Sequence, residues 1–203
     1  MVLAVAAASL LTLAACTASS RTPGTSPGVP GTSPGVPGTV AAAFPAAGLS
    51  FRHPRQWRSY RYQETSSFTD LITFLSTDTL HAPCTVTKNA SVTTIFCGPP
   101  LSGLSPGGVL ITWMTEGMPG RTLALLPGMW TSIGGHRARA VSGAAAGRCA
   151  KLGGAWQEQV TIARDSRLPS TSLVSMDACA AAPGVAQARQ EITDMLATVR
   201  LDA

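Results

Sequence analysis

Charge is scarce in this chain of 203 residues: Asp, Glu, Lys and Arg together make up 12%, about half the share usual in a globular domain. Lys88 and Lys151 are the only lysines, and the ten acids are scattered. No acidic pair has the local context of a glycosidase. There is no H-E-x-x-H, no phosphate-binding loop and no dinucleotide fingerprint, so no cofactor is expected. No C-x-x-C pair occurs, and the three histidines His53, His81 and His136 share no helical spacing. Only His81, three residues before Cys84, stands near a cysteine, so no metal site is expected. Aromatic residues make up 5%. The one basic run, Arg52, Arg55, Arg58 and Arg61 beside Trp57, Tyr60 and Tyr62, reads as a solvated edge; nucleic acid is not an expected partner. If that edge binds anything, anionic lipid heads or wall polymers fit better.

The N-terminus holds an apolar run, Val2 to Ala15, with no Lys or Arg before Arg21. It is too short for a comfortable span, which takes about 20 residues. It ends in Leu13-Ala14-Ala15-Cys16, and Ser, Thr, Pro and Gly follow at once. This stretch resembles the lipobox of bacterial lipoproteins, although the basic start of such signals is missing. The resemblance implies that Cys16 receives a diacylglycerol and further acylation (palmitate), becomes the new N-terminus and holds the chain on the extracytoplasmic face of the cell membrane. Two acyl chains anchor stably where one does not. A signal peptide cut near Ala15 or Ala18, and an uncleaved anchor, are the other two readings.

Beyond the anchor, Pro23-Gly24-Thr25-Ser26-Pro27-Gly28-Val29 repeats as Pro30 to Val36, and Pro37-Gly38-Thr39 begins a third copy. Such a segment does not pack and reads as a tether, open to glycosylation at its Thr and Ser. The expected layout is a signal at 1–15, lipidated cysteine and tether at 16–45, and one domain at 46–203. About 155 residues suffice for one real core.

Setting Cys16 aside leaves Cys84, Cys97, Cys149 and Cys179, an even set for an oxidising compartment. Four cysteines allow three connectivities; the sequence-nearest, Cys84–Cys97 and Cys149–Cys179, is expected.

Residues 49–54 alternate and stop at Pro54, and Leu71 to Ser76 carries apolar residues on both faces, as inner strands do. Cys84 to Cys97 reads as a hairpin returning along 92–96. Further strands are expected at 109–114, 131–133, 136–141, 159–163 and 172–176, the last two an antiparallel pair about a turn containing Pro169. Val185, Ala188, Ile192, Met195, Leu196 and Val199 fall at helical spacing and predict a helix packed on the sheet. Of the four tryptophans Trp57, Trp113, Trp130 and Trp156, at least three are expected in the core.

Gly48-Leu49-Ser50-Phe51-Arg52-His53-Pro54-Arg55-Gln56-Trp57 resembles the opening of PsbP-like domains, and the lipobox, tether and closing helix are similar in layout to actinobacterial lipoproteins of the LpqN type. The resemblance implies an α+β fold, a mainly antiparallel sheet with a C-terminal helix on it in a PsbP-like sandwich. It implies an accessory or binding role and carries no catalytic residues.

Gly103-Leu104-Ser105-Pro106-Gly107 matches the G-x-S-x-G nucleophile elbow, and so do two tether segments. The elbow needs the backbone N–H after the serine. Proline has none, so Ser105 with Glu116 and His136 is not an expected triad. No catalytic residue is assigned. The expected function is a non-catalytic envelope protein that binds a partner protein or a small apolar ligand near the membrane. An envelope enzyme acting on wall or lipid, and an assembly subunit of a membrane complex, are the alternatives.

Overall fold

Apolar residues at alternate positions over 49–54, and on both faces over 69–76, 109–116 and 173–180, punctuated by Gly and Pro, dictate strands that bury one face and inner strands that bury both. The computed structural model describes residues 38–61, 69–88, 93–117, 120–164 and 173–202. They form an α+β fold, mostly antiparallel sheet with a C-terminal helix. The strands are β1 (Thr39–Phe44), β2 (Leu49–Pro54), β3 (Arg58–Arg61), β4 (Thr69–Ser76), β5 (Cys84–Lys88) and β6 (Thr93–Cys97), then β7 (Val109–Glu116), β8 (Met129–Ile133), β9 (His136–Ala144), β10 (Trp156–Ala163), β11 (Leu173–Ala180) and β12 (Arg200–Leu201). The helices are α1 (Gly147–Lys151) and α2 (Val185–Ala197).

A seven-stranded sheet in the order β3-β4-β7-β11-β10-β9-β8 is the centre of the fold, and every neighbouring pair in it is antiparallel. A three-stranded sheet, β1-β2-β12, and a hairpin, β5-β6, accompany it. Val109, Ile111 and Trp113 of β7, Val160 and Ile162 of β10, and Val174 and Met176 of β11 point to one face and are buried. That face meets α2 and the three-stranded sheet in one core. Phe51 of β2 stacks on Trp113 at 5.2 Å and on Phe44 at 5.7 Å. Burying each such side chain is worth about 1.5–3 kcal/mol.

The helix answers its spacing. Ala188, Ile192, Met195 and Leu196 are buried, one face of a 3.6-residue period. Past its end, the Thr198 hydroxyl donates to the Met195 carbonyl at 2.7 Å and accepts the Arg52 N–H at 2.8 Å. β12 then pairs with β2, Leu201 opposite Leu49.

Three features differ from the sequence expectation. A strand at Thr39–Phe44 precedes the expected domain start at 46 and the expected first strand at 49–54; these residues, placed in the tether by composition, pair with β2. Thr-Val-Ala-Ala-Ala-Phe contains neither Pro nor Gly, and Ala42 and Phe44 pack into the core. Part of the Arg-rich edge is a strand, β3, at the end of its sheet; its arginines are exposed, as expected, and also serve the fold. The Arg58 guanidinium donates to Thr79, and that of Arg61 donates to the Ala43 carbonyl and lies over the Phe44 ring. The stretch around Cys149, for which no element was expected, is a short helix, α1.

The β8–β9 hairpin turns at Gly134-Gly135, both with positive φ (59° and 85°), the requirement of a two-residue type I′ turn. A side chain on Gly134 would meet the Val199 carbonyl oxygen at 2.5 Å. Trp57, Trp113 and Trp156 are buried as expected, while Trp130 is 47% exposed. No helix of the described residues is long and apolar enough to cross a membrane.

Candidate functional site

The other face of the seven-stranded sheet carries the alternate residues, and antiparallel register lines them up in rows. One row runs Phe74, Thr112, Asp177, Gln159, Val141 across β4, β7, β11, β10 and β9. The next runs Leu71, Met114, Ser175, Thr161, Arg139, Trp130, out to the edge strand β8. The centre of this face is therefore polar and its β4–β7 side apolar. A second, smaller core of Phe74, Leu101, Leu110 and Leu152 covers one end. The remainder is an open groove of about 760 Å³. α1 contributes Arg148 and Cys149 to its lining, Leu152 just past its end adds to it, and Pro83, Cys84 and Gly98 at the base of the β5–β6 hairpin contribute too.

The wall made by α1 is fixed covalently. Cys149 of α1 is bonded to Cys179 of β11, across a sequence separation of 30, the pairing expected from the sequence. Gly154 lies directly against both sulfurs; a Cβ there would stand 2.4 Å and 2.5 Å from them. Cys84 is also disulfide-bonded, and Cys97 is its register partner across the hairpin. The Cys97 side chain lies outside the described residues, as does Cys16.

Two carboxylates belong to this face, and their surroundings differ. The Glu116 carboxylate accepts the Ser175 hydroxyl at 2.7 Å, and Ser175 in turn bonds Thr161 at 3.1 Å. Its second oxygen forms a close ion pair with Arg121 at 2.9 Å, without the alignment of a hydrogen bond. Both Glu116 oxygens are thus engaged within the protein. Asp177 is different: burial pushes its carboxyl above the usual aspartate range, the Glu116 charge adds to this, and the Gln159 side chain, Arg148 and Arg121 oppose it. On the helix side of the same sheet, burial likewise raises Glu158, against the pull of Arg189.

The residues weighed for catalysis are not assembled. Ser105 donates its hydroxyl to Asp78, whose carboxylate also accepts the Ser105 N–H at 3.2 Å. That contact, across 27 residues, ties the Ser105 turn to the stretch after β4. Glu116 is engaged with Ser175 and Arg121 instead. His81 shares a shallow surface hollow with Asp78 and Ser105, but the serine is bonded to the acid and not to an imidazole. His53 is buried against the Pro54 carbonyl at 2.9 Å, and burial lowers its pKa. His136 lies on β9, opposite Ile133. No three His, Cys, Asp or Glu among the described residues are grouped to hold a metal ion.

Sequence reasoning missed the row Thr112, Asp177, Gln159. Each sits on a different strand, and only strand pairing brings them together. Comparison with protein-family models, with curated proteins and with solved structures finds no match to this chain.

Proposed function

We propose that this is a lipid-anchored, extracytoplasmic binding protein, without catalysis, whose open sheet face takes a small, largely apolar ligand close to the membrane. The groove of about 760 Å³ carries the proposal. Its volume is that of a small-molecule site, apolar with a few placed polar groups. Leu71, Phe74 and Met114 offer the apolar side, and Thr112, Asp177 and Gln159 offer hydrogen bonds to one polar end. The Asp177 carboxyl, raised by burial, is suited to donate a hydrogen bond as well as accept one. The α+β layout with its closing helix agrees with the PsbP-like and LpqN-type resemblance, whose members serve mostly as accessory or binding proteins.

A photo-crosslinking residue in place of Met114, in the full chain in its producing cell, tests the groove. A small-molecule adduct at this position, absent when the crosslinker replaces the exposed Gln190 of α2, is the expected result. A protein adduct at Met114 would replace the ligand with a partner, and no adduct would remove the groove from the proposal. Anchoring is tested separately. Cys16→Ser is expected to release the chain from the membrane fraction, and retention would overturn the lipobox reading.

A further inference from the structure

The segment from Leu123 to Trp130 reads Leu-Ala-Leu-Leu-Pro-Gly-Met-Trp and carries no charge. It does not bury itself. Leu125 is 75% exposed, Met129 79% and Trp130 47%. Together with Val141 these are the exposed large apolar residues of the described chain. β8 is an edge strand. Met129 and Trp130, neighbours on it, point to opposite faces, so the apolar surface is a projecting rim and not a concave groove.

One guanidinium organises this rim. Arg139 of β9 donates from Nε to the Leu123 carbonyl at 3.2 Å and from Nη1 to the Gly128 carbonyl at 2.6 Å. It also lies 4.1 Å from the centre of the Trp130 ring. Arg137 stacks on the same ring at 4.4 Å and has no ion-pair partner among the described residues. The segment that builds the rim, residues 123–144, carries Arg137 and Arg139 and no Asp or Glu.

We infer that this rim is a second membrane contact, in which Leu125, Met129 and Trp130 enter the interface of an anionic lipid surface and Arg137 meets its head groups. Apolar side chains flanked by arginine, with tryptophan at the boundary, have the chemistry of an interfacial contact. Charge favours lipid over a second copy of the chain: self-pairing along β8 would bring Arg137 and Arg139 of both copies together, with no acid in the rim segment to offset them. The outward backbone of β8 sets the depth: its unpaired polar groups need water or head groups, so the contact is interfacial. The sequence between Cys16 and Gly38 can span at most roughly 75 Å, so the proposed lipid anchor leaves the domain free to choose this face. The inference does not depend on what the groove binds.

Trp130 is the exposed tryptophan among three buried ones, so its fluorescence reports the contact directly. The full chain is reconstituted into phosphatidylcholine vesicles with and without phosphatidylglycerol, containing lipid brominated high on its acyl chains. Quenching of the exposed component in phosphatidylglycerol vesicles, its loss in Trp130→Phe and its decline with salt are the expected results. Arg137→Gln should lower the docked fraction on the order of fivefold. Trp130→Phe keeps a ring beneath the guanidinium groups, so loss of signal does not reflect unfolding. Absence of quenching in vesicles that hold the chain would overturn the inference, and so would equal quenching without phosphatidylglycerol. Concentration-dependent shielding of Trp130 from aqueous acrylamide before vesicles are added would reassign the rim to self-association.

Discussion

The two faces of the seven-stranded sheet are written by the same strands in alternate residues, and they have opposite chemistry. Under α2, β7 shows Val109, Ile111 and Trp113, and β11 shows Val174, Met176 and Ala178, all buried in one core. On the far side the same two strands show Thr112, Glu116, Ser175 and Asp177. The first face has helix and sheet to close it, so its only requirement is to fill volume. The second is closed at one end and open elsewhere, and its buried hydroxyls and carboxylates satisfy one another. The closed core and the open polar face are thereby separated by a single residue of register.

Breaking the closed face has the largest effect. Trp113 is fully buried, and Trp113→Ala is expected to cost about 3–5 kcal/mol, measured by chemical denaturation. The disulfide joining the open face to α1 comes next. Closing a loop of 30 residues corresponds to about 3–4 kcal/mol in the loop-entropy account, so Cys149→Ala with Cys179→Ala should lower stability by that order. Gly154→Ala should reproduce part of this loss with both cysteines present, because its methyl would collide with the two sulfurs. A denaturation curve equal to that of the parent chain would show that the wall yields.

A smaller effect is expected within the polar rows. Ser175→Val removes the donor to Glu116 and the partner of Thr161. Leaving such a buried group unpaired costs about 1–3 kcal/mol. If the variant is neutral, water replaces the hydroxyl and the open face is wetter than the closed one.

The pH dependence is the smallest difference and has opposite signs for two groups. Asp177 is raised by burial, so the folded chain holds its proton more tightly than the unfolded one. Its contribution makes stability fall as pH rises from the ordinary aspartate range to the raised value, and it is flat above that. His53 is lowered by burial. It binds a proton less readily when folded, so stability falls as pH drops from the ordinary histidine range through its lowered value. Melting temperature against pH should lose the first slope in Asp177→Asn and the second in His53→Gln.

Strands read well from the sequence where runs of β-rich apolar residues were long. Leu71 to Ser76, Val109 to Met114, 159–163 and 173–176 lie within observed strands, and the helix begins at Val185 as expected and ends at Ala197; the turn containing Pro169 and residue 172 lie outside the described residues. α1 and β3 were too short for any period to register. β1 was hidden by its neighbours: Thr39 continues a Pro-Gly repeat, and composition averaged over that stretch conceals six residues that can pair. The site was less readable than the fold. Asp177 looks like any acid in a strand until β7 and β10 place Thr112 and Gln159 beside it. Nothing local to Trp130 separates it from the buried Trp113, because exposure depends on β8 being last in its sheet.

The pairing of β2 bears on when the domain is finished. Its partner β1 is made just before it, but its other edge receives Arg200 and Leu201, and its Arg52 N–H is bonded by Thr198, 146 residues later. At roughly 5–20 residues per second, that partner arrives roughly 7–30 s after β2 has been synthesised. For that interval one edge of β2 has no strand to pair with, and the carbonyl of Gly48 lacks the Asp202 N–H that it accepts at 2.8 Å. Translation therefore completes the small sheet last, and its first-made strands wait on the residues that follow the final helix.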